Sequence, residues 1–342
     1  AGHSLNKILL VTTVGIIRRG QADELIRALE LQGIATAIYD GIVPDPTFDI
    51  VNAGLEVLRQ ENCDGLVAFG GGSAMDAAKV IALAAANNRA PEKLVGYFKG
   101  RKKPLPLYAV PTTAGTGSEA TIASVISDDK THGKSFIVDS RTVPLAAALE
   151  PRLMESLSSS MTAATGMDAL THAIEAYIST ISTPATDRYA EEAILLIFEH
   201  LPRACENGSD LEAREAMSMA SYKAGRAFTQ ASVGYVHAIS HQLGASYGTP
   251  HGLGNAIVLP QILELSRDAA CPKLASLAMA TGLGDAIEPA AALAQKFVDR
   301  IRELNRQLGI PSVIAALEEK DIPGITRGAL KEALHNYPVP QH

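Results

Sequence analysis

The sequence predicts an α/β N-terminal domain built on a parallel sheet, followed by an all-α C-terminal domain. Three observations predict it. Through roughly the first 150 residues, short β-branched apolar runs alternate with helical patterns, as strands and crossover helices of a parallel sheet must. Two of those runs end in turns rich in glycine, serine and threonine. Beyond Pro151 the strand signal is lost, and an Ala- and Leu-rich pattern of 3.6-residue period continues to about Leu334. The 342 residues fit two domains at roughly 100–200 residues each, and 47% hydrophobic content supplies their cores.

The elements follow in order. "KILLVTT", Lys7–Thr13, is a short apolar run of the kind that a parallel sheet buries. The wider stretch "NKILLVTTVGII" also reads as buried strand, and it is too short for the roughly 20 residues of a membrane span. "QADELIRALELQG" has helical spacing and a glycine stop, and "ATAIYD" is a second strand. "VPDPT" breaks the chain before the helix "FDIVNAGLEVLRQ". "DGLVAFGGG" is a third strand that runs into glycines and then the helix "SAMDAAKVIALAAA"; "LPLYAVPTT" is a fourth strand. From Ser158 onward, helices are separated by breaks at "STISTPATD", "ENGSD", "YGTP", "TGLGDAIEP" and "LGIP". The division falls near residues 150–158, giving domains of 1–153 and 154–342.

Composition excludes several classes of function. A net charge of −7 and a pI near 5.7 give no global attraction for phosphate backbones or anionic lipid, so neither nucleic acid nor a membrane is expected as a partner. The start carries no signal-peptide pattern. Cys63, Cys205 and Cys271 are odd in number, far apart and outside any CxxC pattern. They argue against disulfides and thiolate metal sites and predict a cytoplasmic protein.

Two turns can hold a nucleotide. "AFGGGSAMDAAK" joins a strand directly to a helix; Gly70, Gly71 and Gly72 let backbone approach an anion, and Ser73 starts the helix. The helix N-terminus offers free N–H groups and the positive end of its dipole to a pyrophosphate. The run is neither GxGxxG nor a Walker loop, and by itself it specifies a tight strand–helix turn equally well. "PTTAGTGSE", Pro111–Glu119, places Thr112, Thr113, Thr116 and Ser118 around Gly115 and Gly117. Its hydroxyls and open amides suit a ribose-phosphate or a carboxamide, at the strand end where open α/β sheets bind ligands.

A second constellation points to a metal. In "TGMDALTHAIEAY", Asp168 and His172 are four apart on a helical pattern and so share a face. In "VHAISHQLGASYGTPHG", His237 and His241 repeat that spacing, and His251 follows a Gly-Thr-Pro break. One carboxylate and up to four imidazoles, from two helices and one turn, suit Fe²⁺ or Zn²⁺. Any one of these histidines is more often a surface or hydrogen-bonded core residue than a ligand, and spacing does not say which imidazole is spare. His200 and His132 show no ligand pattern, and His3, His335 and His342 lie near the ends.

Together these stretches resemble the iron-containing (group III) alcohol dehydrogenases. The resemblance covers nearly the whole chain, in order: GGGSxxDxAK at Gly70–Lys79, PTTxGTGSE at Pro111–Glu119, GxDALxHAxE at Gly166–Glu175, and HxxxHxxGxxxxxPHGxxNAxxLP at His237–Pro260. It implies a Rossmann-like dinucleotide-binding domain and a helical metal-binding domain, in the dehydroquinate synthase-like architecture. It implies ligands Asp168, His172, His237 and His251, with His241 left as a catalytic proton relay. It assigns cofactor contacts to Gly71, Gly72, Ser73, Thr112, Thr113, Thr116 and Ser118, with Lys134 and Asp45 beside them, and by position Ala123 and Phe228 to the substrate pocket. The implied reaction moves a hydride between NAD or NADP and a small alcohol or aldehyde, with Fe²⁺, or alternatively Zn²⁺, as Lewis acid. A homodimer or larger homo-oligomer is implied too.

Three departures qualify the resemblance. The family commonly ends its first strand in "VTD", whose Asp occupies the space of a 2′-phosphate; here Thr13 stands there, with Arg18 and Arg19 nearby, so NADP is expected to be tolerated and can be preferred. The match begins about one strand and helix late, as if shortened, and the usual last helix is not expected after "NYPVPQH". The rival readings are a dehydroquinate-synthase-like lyase that recycles its NAD, a glycerol-dehydrogenase-like polyol oxidoreductase, and a non-catalytic nucleotide sensor.

Overall fold

The computed structural model describes residues 5–128 and 133–340. His3, His132 and His342 lie outside them. The chain divides into two compact units: one runs to Thr113 and from Ser118 to Leu153, the other comprises Ala114–Gly117 and the chain from Met154 onward.

The first unit is α/β. Its elements are β1 (Lys7–Val11), α1 (Val14–Arg18), α2 (Asp23–Leu31), β2 (Ala35–Tyr39), α3 (Phe48–Gln60), β3 (Gly65–Gly70), α4 (Gly72–Asn87), β4 (Gly96–Tyr97), β5 (Leu107–Pro111), β6 (Ala123–Ser127), β7 (Lys134–Val138) and β8 (Ala146–Ala147). Five strands form a parallel sheet in the order β2-β1-β3-β5-β8. The central strand β3 is buried along its whole length, which is why "GLVAFG" shows no polar alternation. A smaller sheet, β4-β7-β6, pairs β6 and β7 antiparallel. The apolar run "VTTVGII" does not continue as strand. Thr13 makes one isolated bridge to Gly41, and the next residues turn into α1, whose buried Ile16 packs with Ile8 and Leu10 on one sheet face. A short apolar run fits either state. The two-residue strand β8 and the β4 edge were equally invisible as patterns.

The second unit is helical: α5 (Ser159–Ile178), α6 (Pro184–Glu206), α7 (Leu211–Ala231), α8 (Tyr235–Tyr247), α9 (His251–Ser266), α10 (Cys271–Ala280), α11 (Ala290–Gln307) and α12 (Ile322–Asn336). Helix α5 is capped by Ser158, whose hydroxyl accepts from the Met161 amide, and is buried almost all round from Thr162 to Ile178. A helix buried on every side carries its polar residues into the core, and so α5 takes Asp168, His172 and Glu175 inside. His251 opens α9 with Pro250 at its cap, rather than lying in a turn. Among the described residues, no helix is long and apolar enough to cross a membrane.

Candidate metal centre

Asp168 and His172 point from one face of α5, and His237 and His241 from one face of α8. Helix α9 reaches α5 because residue 252 is glycine: a Cβ there would lie 2.2 Å from the Ala164 carbonyl oxygen. That close approach delivers His251. Among the described residues, Asp168, His237 and His251 offer ligand atoms that all lie within 4.8 Å of one another. The Asp168 Oδ1 atom is 3.4 Å from His251 Nε2 and 3.8 Å from His237 Nε2.

His172 lies beside this group. Its ring stacks on His237 at 4.4 Å and on Phe228 at 4.2 Å between centroids. Its Nδ1, 3.9 Å from Asp168 Oδ1, is buried and has no hydrogen-bond partner among the described residues. Burial lowers the pKa of this imidazole, while Asp168 and a hydrogen bond to the Gly115 backbone act to raise it. A buried ring nitrogen with a bare lone pair beside a carboxylate is the kind of atom a cation satisfies. The set of three imidazoles and one carboxylate therefore fits Fe²⁺.

Glu175, one turn after His172, has a role that spacing alone did not reveal. Its carboxylate accepts from the Gly234 and Val236 amides, at 2.8 and 2.7 Å, and so caps the start of α8. It also lies 2.6 Å from His237 Nδ1. With Glu175 ionised, His237 Nδ1 donates to it and the Nε2 lone pair faces Asp168, the tautomer that a metal-bound imidazole requires. Burial pushes the Glu175 carboxyl up to about 8, against the pull of these amides. His237 is held well below the usual imidazole range, first by burial and then by its neighbouring imidazoles.

Asn255, four residues after His251, is fully buried against the same atoms. His241 stands outside the ligand group. Its ring stacks over His251 at 5.2 Å, and its Nδ1 lies 2.7 Å from Glu332 Oε1, which also accepts from the Tyr337 hydroxyl at 2.6 Å. Glu332 is 91 residues away on α12, so no local pattern could have found it.

The nucleotide loops lie at neighbouring strand ends. Gly71 caps α4, Gly72 and Ser73 begin its first turn, and a Cβ on Gly71 would sit 3.1 Å from Thr113 Oγ1. The Thr112 amide donates to the Gly70 carbonyl. Thr116 belongs to the segment that clusters with the helical unit, where a Cβ on Gly115 would lie 2.8 Å from Thr165 Cβ. The Ser118 hydroxyl donates to Asp76 at 2.7 Å and accepts from Lys79 at 2.9 Å, so its side chain serves this buried network. Lys134 pairs with Asp45 and lies 3.3 Å from Ser127 Oγ. The Ala123 carbonyl accepts from Lys79 at 3.0 Å, whereas Phe228 stacks directly on His172. Thr13 sits at the cap of α1, over which the Arg19 guanidinium folds: a Cβ on Gly15 would lie 3.1 Å from it.

Two family models match the chain. "Iron-containing alcohol dehydrogenase" matches residues 1–151, and "Fe-containing alcohol dehydrogenase family, C-terminal" matches residues 162–341. Alcohol dehydrogenase 4 of Schizosaccharomyces pombe is 44% identical over 95% of this chain and 76% of its own length. The NAD-dependent methanol dehydrogenase of Bacillus methanolicus is 39% identical over 95% of this chain and 86% of its own. The crystal structure of a 1,3-propanediol oxidoreductase superposes with a TM-score of 0.95 at 40% identity, covering 99% of this chain and 89% of that one. The fold is the dehydroquinate synthase-like one that these iron-containing enzymes share.

Proposed function

The chain belongs to the iron-containing alcohol dehydrogenase family, and from that premise we propose how its residues divide the work. It is an oxidoreductase that interconverts alcohols and aldehydes, which sets aside the lyase reading. We propose that Asp168, His172, His237 and His251 hold Fe²⁺, and that the glycine and threonine loops hold NAD. The observation that carries this is the convergence of three ligand atoms within 4.8 Å beside the bare Nδ1 of His172. When bound, the cation supplies a Lewis acid that polarises the substrate oxygen.

The chain's own side chains do the rest. Glu175 orients His237. Phe228 covers one face of His172 and gives the substrate's carbon end an apolar wall, which suits a short alcohol or aldehyde. His241, oriented through Nδ1 by Glu332, is the residue to relay a proton leaving the alcohol or returning to the carbonyl. NAD is the working cofactor, as for the NAD-dependent methanol dehydrogenase that the chain resembles, and because Thr13 presents no carboxylate to a 2′-phosphate and Arg19 lies over the same turn, NADP is tolerated. The free thiols of Cys63, Cys205 and Cys271 suit a reducing cytosol.

The test is to load the protein anaerobically with Fe²⁺ and screen short primary alcohols, diols and aldehydes with NAD(H) and NADP(H). Iron-dependent turnover with NAD, and a smaller measurable rate with NADP, is expected. No turnover of any such substrate by protein that binds both iron and NAD would overturn the reading. Strong discrimination against NADP would remove the Thr13 argument alone.

A further inference from the structure

Asn255 occupies the point on which the ligand atoms converge. It lies one turn after His251 on α9 and is completely buried. Its Nδ2 is 2.7 Å from Asp168 Oδ1, 3.2 Å from His237 Nε2 and 3.2 Å from His251 Nε2. Chemistry settles which end of the amide faces them. Asp168 offers a carboxylate oxygen, and His237 has already committed its Nδ1 hydrogen to Glu175, so Nε2 is an acceptor. An amide oxygen turned toward these atoms would be repelled, whereas the NH₂ group donates. Nothing holds the other end of the amide: Asn255 Oδ1 is buried without a hydrogen-bond partner among the described residues. The fold leaves a buried acceptor unmet, which is costly, in order to keep the donor end on the ligands.

We propose that Asn255 is a positioning residue that acts as a surrogate cation. Its NH₂ group holds Asp168, His237 and His251 together against their mutual repulsion, and it competes for the lone pairs that Fe²⁺ uses. The proposal rests on the ligand assignment above. An amide has two hydrogens and, with both imidazoles in the tautomer that offers Nε2 to a metal, faces three acceptors, so it serves Asp168 with one and the two imidazoles with the other. Each imidazole lone pair can be used once. With iron bound, both belong to the metal and Asn255 retains Asp168 alone. Asn255 therefore stabilises the metal-free protein more than the loaded protein. It keeps the ligand cage assembled and lowers iron affinity. This is the opposite sign from Glu175, whose bond to His237 Nδ1 serves both forms.

The experiment compares the full chain with Asn255→Ala and with Asn255→Asp, which keeps the volume but cannot donate when ionised. Fe²⁺ affinity is read anaerobically by competition with a chromophoric chelator, and Tm is read for stripped and reloaded protein. Both variants should bind Fe²⁺ more tightly, by about three- to tenfold for Asn255→Ala, the worth of one hydrogen bond, and by more for Asn255→Asp. Their stripped Tm should fall several degrees further than their loaded Tm; loss of fold on stripping alone is the extreme of that result. Weaker iron binding in both variants, or equal losses of Tm in the two forms, would overturn the proposal. Asp168→Ala, run alongside, separates the two failures: if it retains iron, the ligand assignment falls and takes the proposal with it.

Discussion

Lys79 in the α/β unit and Asp168 in the helical unit are both withdrawn from water, yet their surroundings follow opposite plans. The Lys79 ammonium has three hydrogens and three acceptors: Ser118 Oγ and Thr121 Oγ1 at 2.9 Å and the Ala123 carbonyl at 3.0 Å. Ser118 passes its own hydrogen to Asp76, which also accepts from the Val125 amide. Donors and acceptors close on each other. Around Asp168, acceptors face acceptors, with one amide between them and an imidazole nitrogen unmet. A closed set of buried polar groups holds a structure together. A convergent set of lone pairs is stable only when something positive joins it. Burial and charge are common to both clusters, so neither tells a structural cluster from a binding one. The direction of the lone pairs does.

The comparison breaks most visibly at Asp168. Asp168→Ala removes the one carboxylate among the four proposed ligands, so the protein should lose iron and turnover should fall by on the order of 10³-fold, the several kcal/mol that a Lewis acid contributes. Metal analysis beside steady-state rates checks it; an iron-loaded Asp168→Ala protein would show the convergence to be incidental. Lys79→Met should do the reverse. It strands Asp76 and three neutral acceptors, costing about 3 kcal/mol of stability, while bound iron stays at the wild-type level. Urea unfolding and metal content decide it together, and loss of iron would mean that the two clusters are not independent. A smaller effect separates holding a ligand from being one. Glu175→Gln keeps the size of the side chain but places a donor where His237, Gly234 and Val236 all donate. Iron affinity should weaken by about 10–100-fold, as for other residues that orient metal-bound imidazoles. An unchanged affinity would assign Glu175 to capping α8 alone.

These differences were unequally legible in the sequence. Asp168/His172 and His237/His241 stand out because helical spacing is local, and the glycine and threonine loops stand out because each follows a strand. The strands β1, β2, β3 and β5 were readable as apolar runs; α1 was not, because "VGII" satisfies strand and helix patterns alike and only packing on the sheet decides. Glu175 and Asn255 sit inside the stretches quoted for the resemblance, three and four residues from a histidine. What hides them is that a glutamate or asparagine on a helix is ordinarily solvated. Lys79 is hidden for the same reason, although it is fully buried. Glu332 could not be found at all, since contact across 91 residues is a property of the fold. Nor could spacing separate His241 from His237. The structure distinguishes them by partner: a capping carboxylate buried with α5 for one, a half-buried carboxylate on α12 for the other.

One atom of the α/β cluster follows the metal centre's plan, and it gives the finest test. Glu119 is buried, and its Oε2 has no hydrogen-bond partner among the described residues. Burial pushes its carboxyl up to about 7 from 4.5, against its own backbone amide and Lys79. Between those values the folded chain binds more proton than the unfolded chain. The stability this confers is complete below about pH 4.5 and is lost as pH rises through 7. Glu119→Gln stays neutral throughout. The stability of the natural protein relative to Glu119→Gln should therefore fall by on the order of 2 kcal/mol between pH 5 and pH 7, with iron content the same in both. Urea midpoints at three pH values measure it. Parallel curves would mean that Glu119 titrates as an ordinary carboxylate, and so has a donor. A single unmet acceptor takes a proton, because one lone pair holds no cation against water. Around Asp168, His172 Nδ1 is unmet and the Asp168, His237 and His251 atoms converge on a single amide, and a deficit shared by that many lone pairs suits a cation rather than a proton.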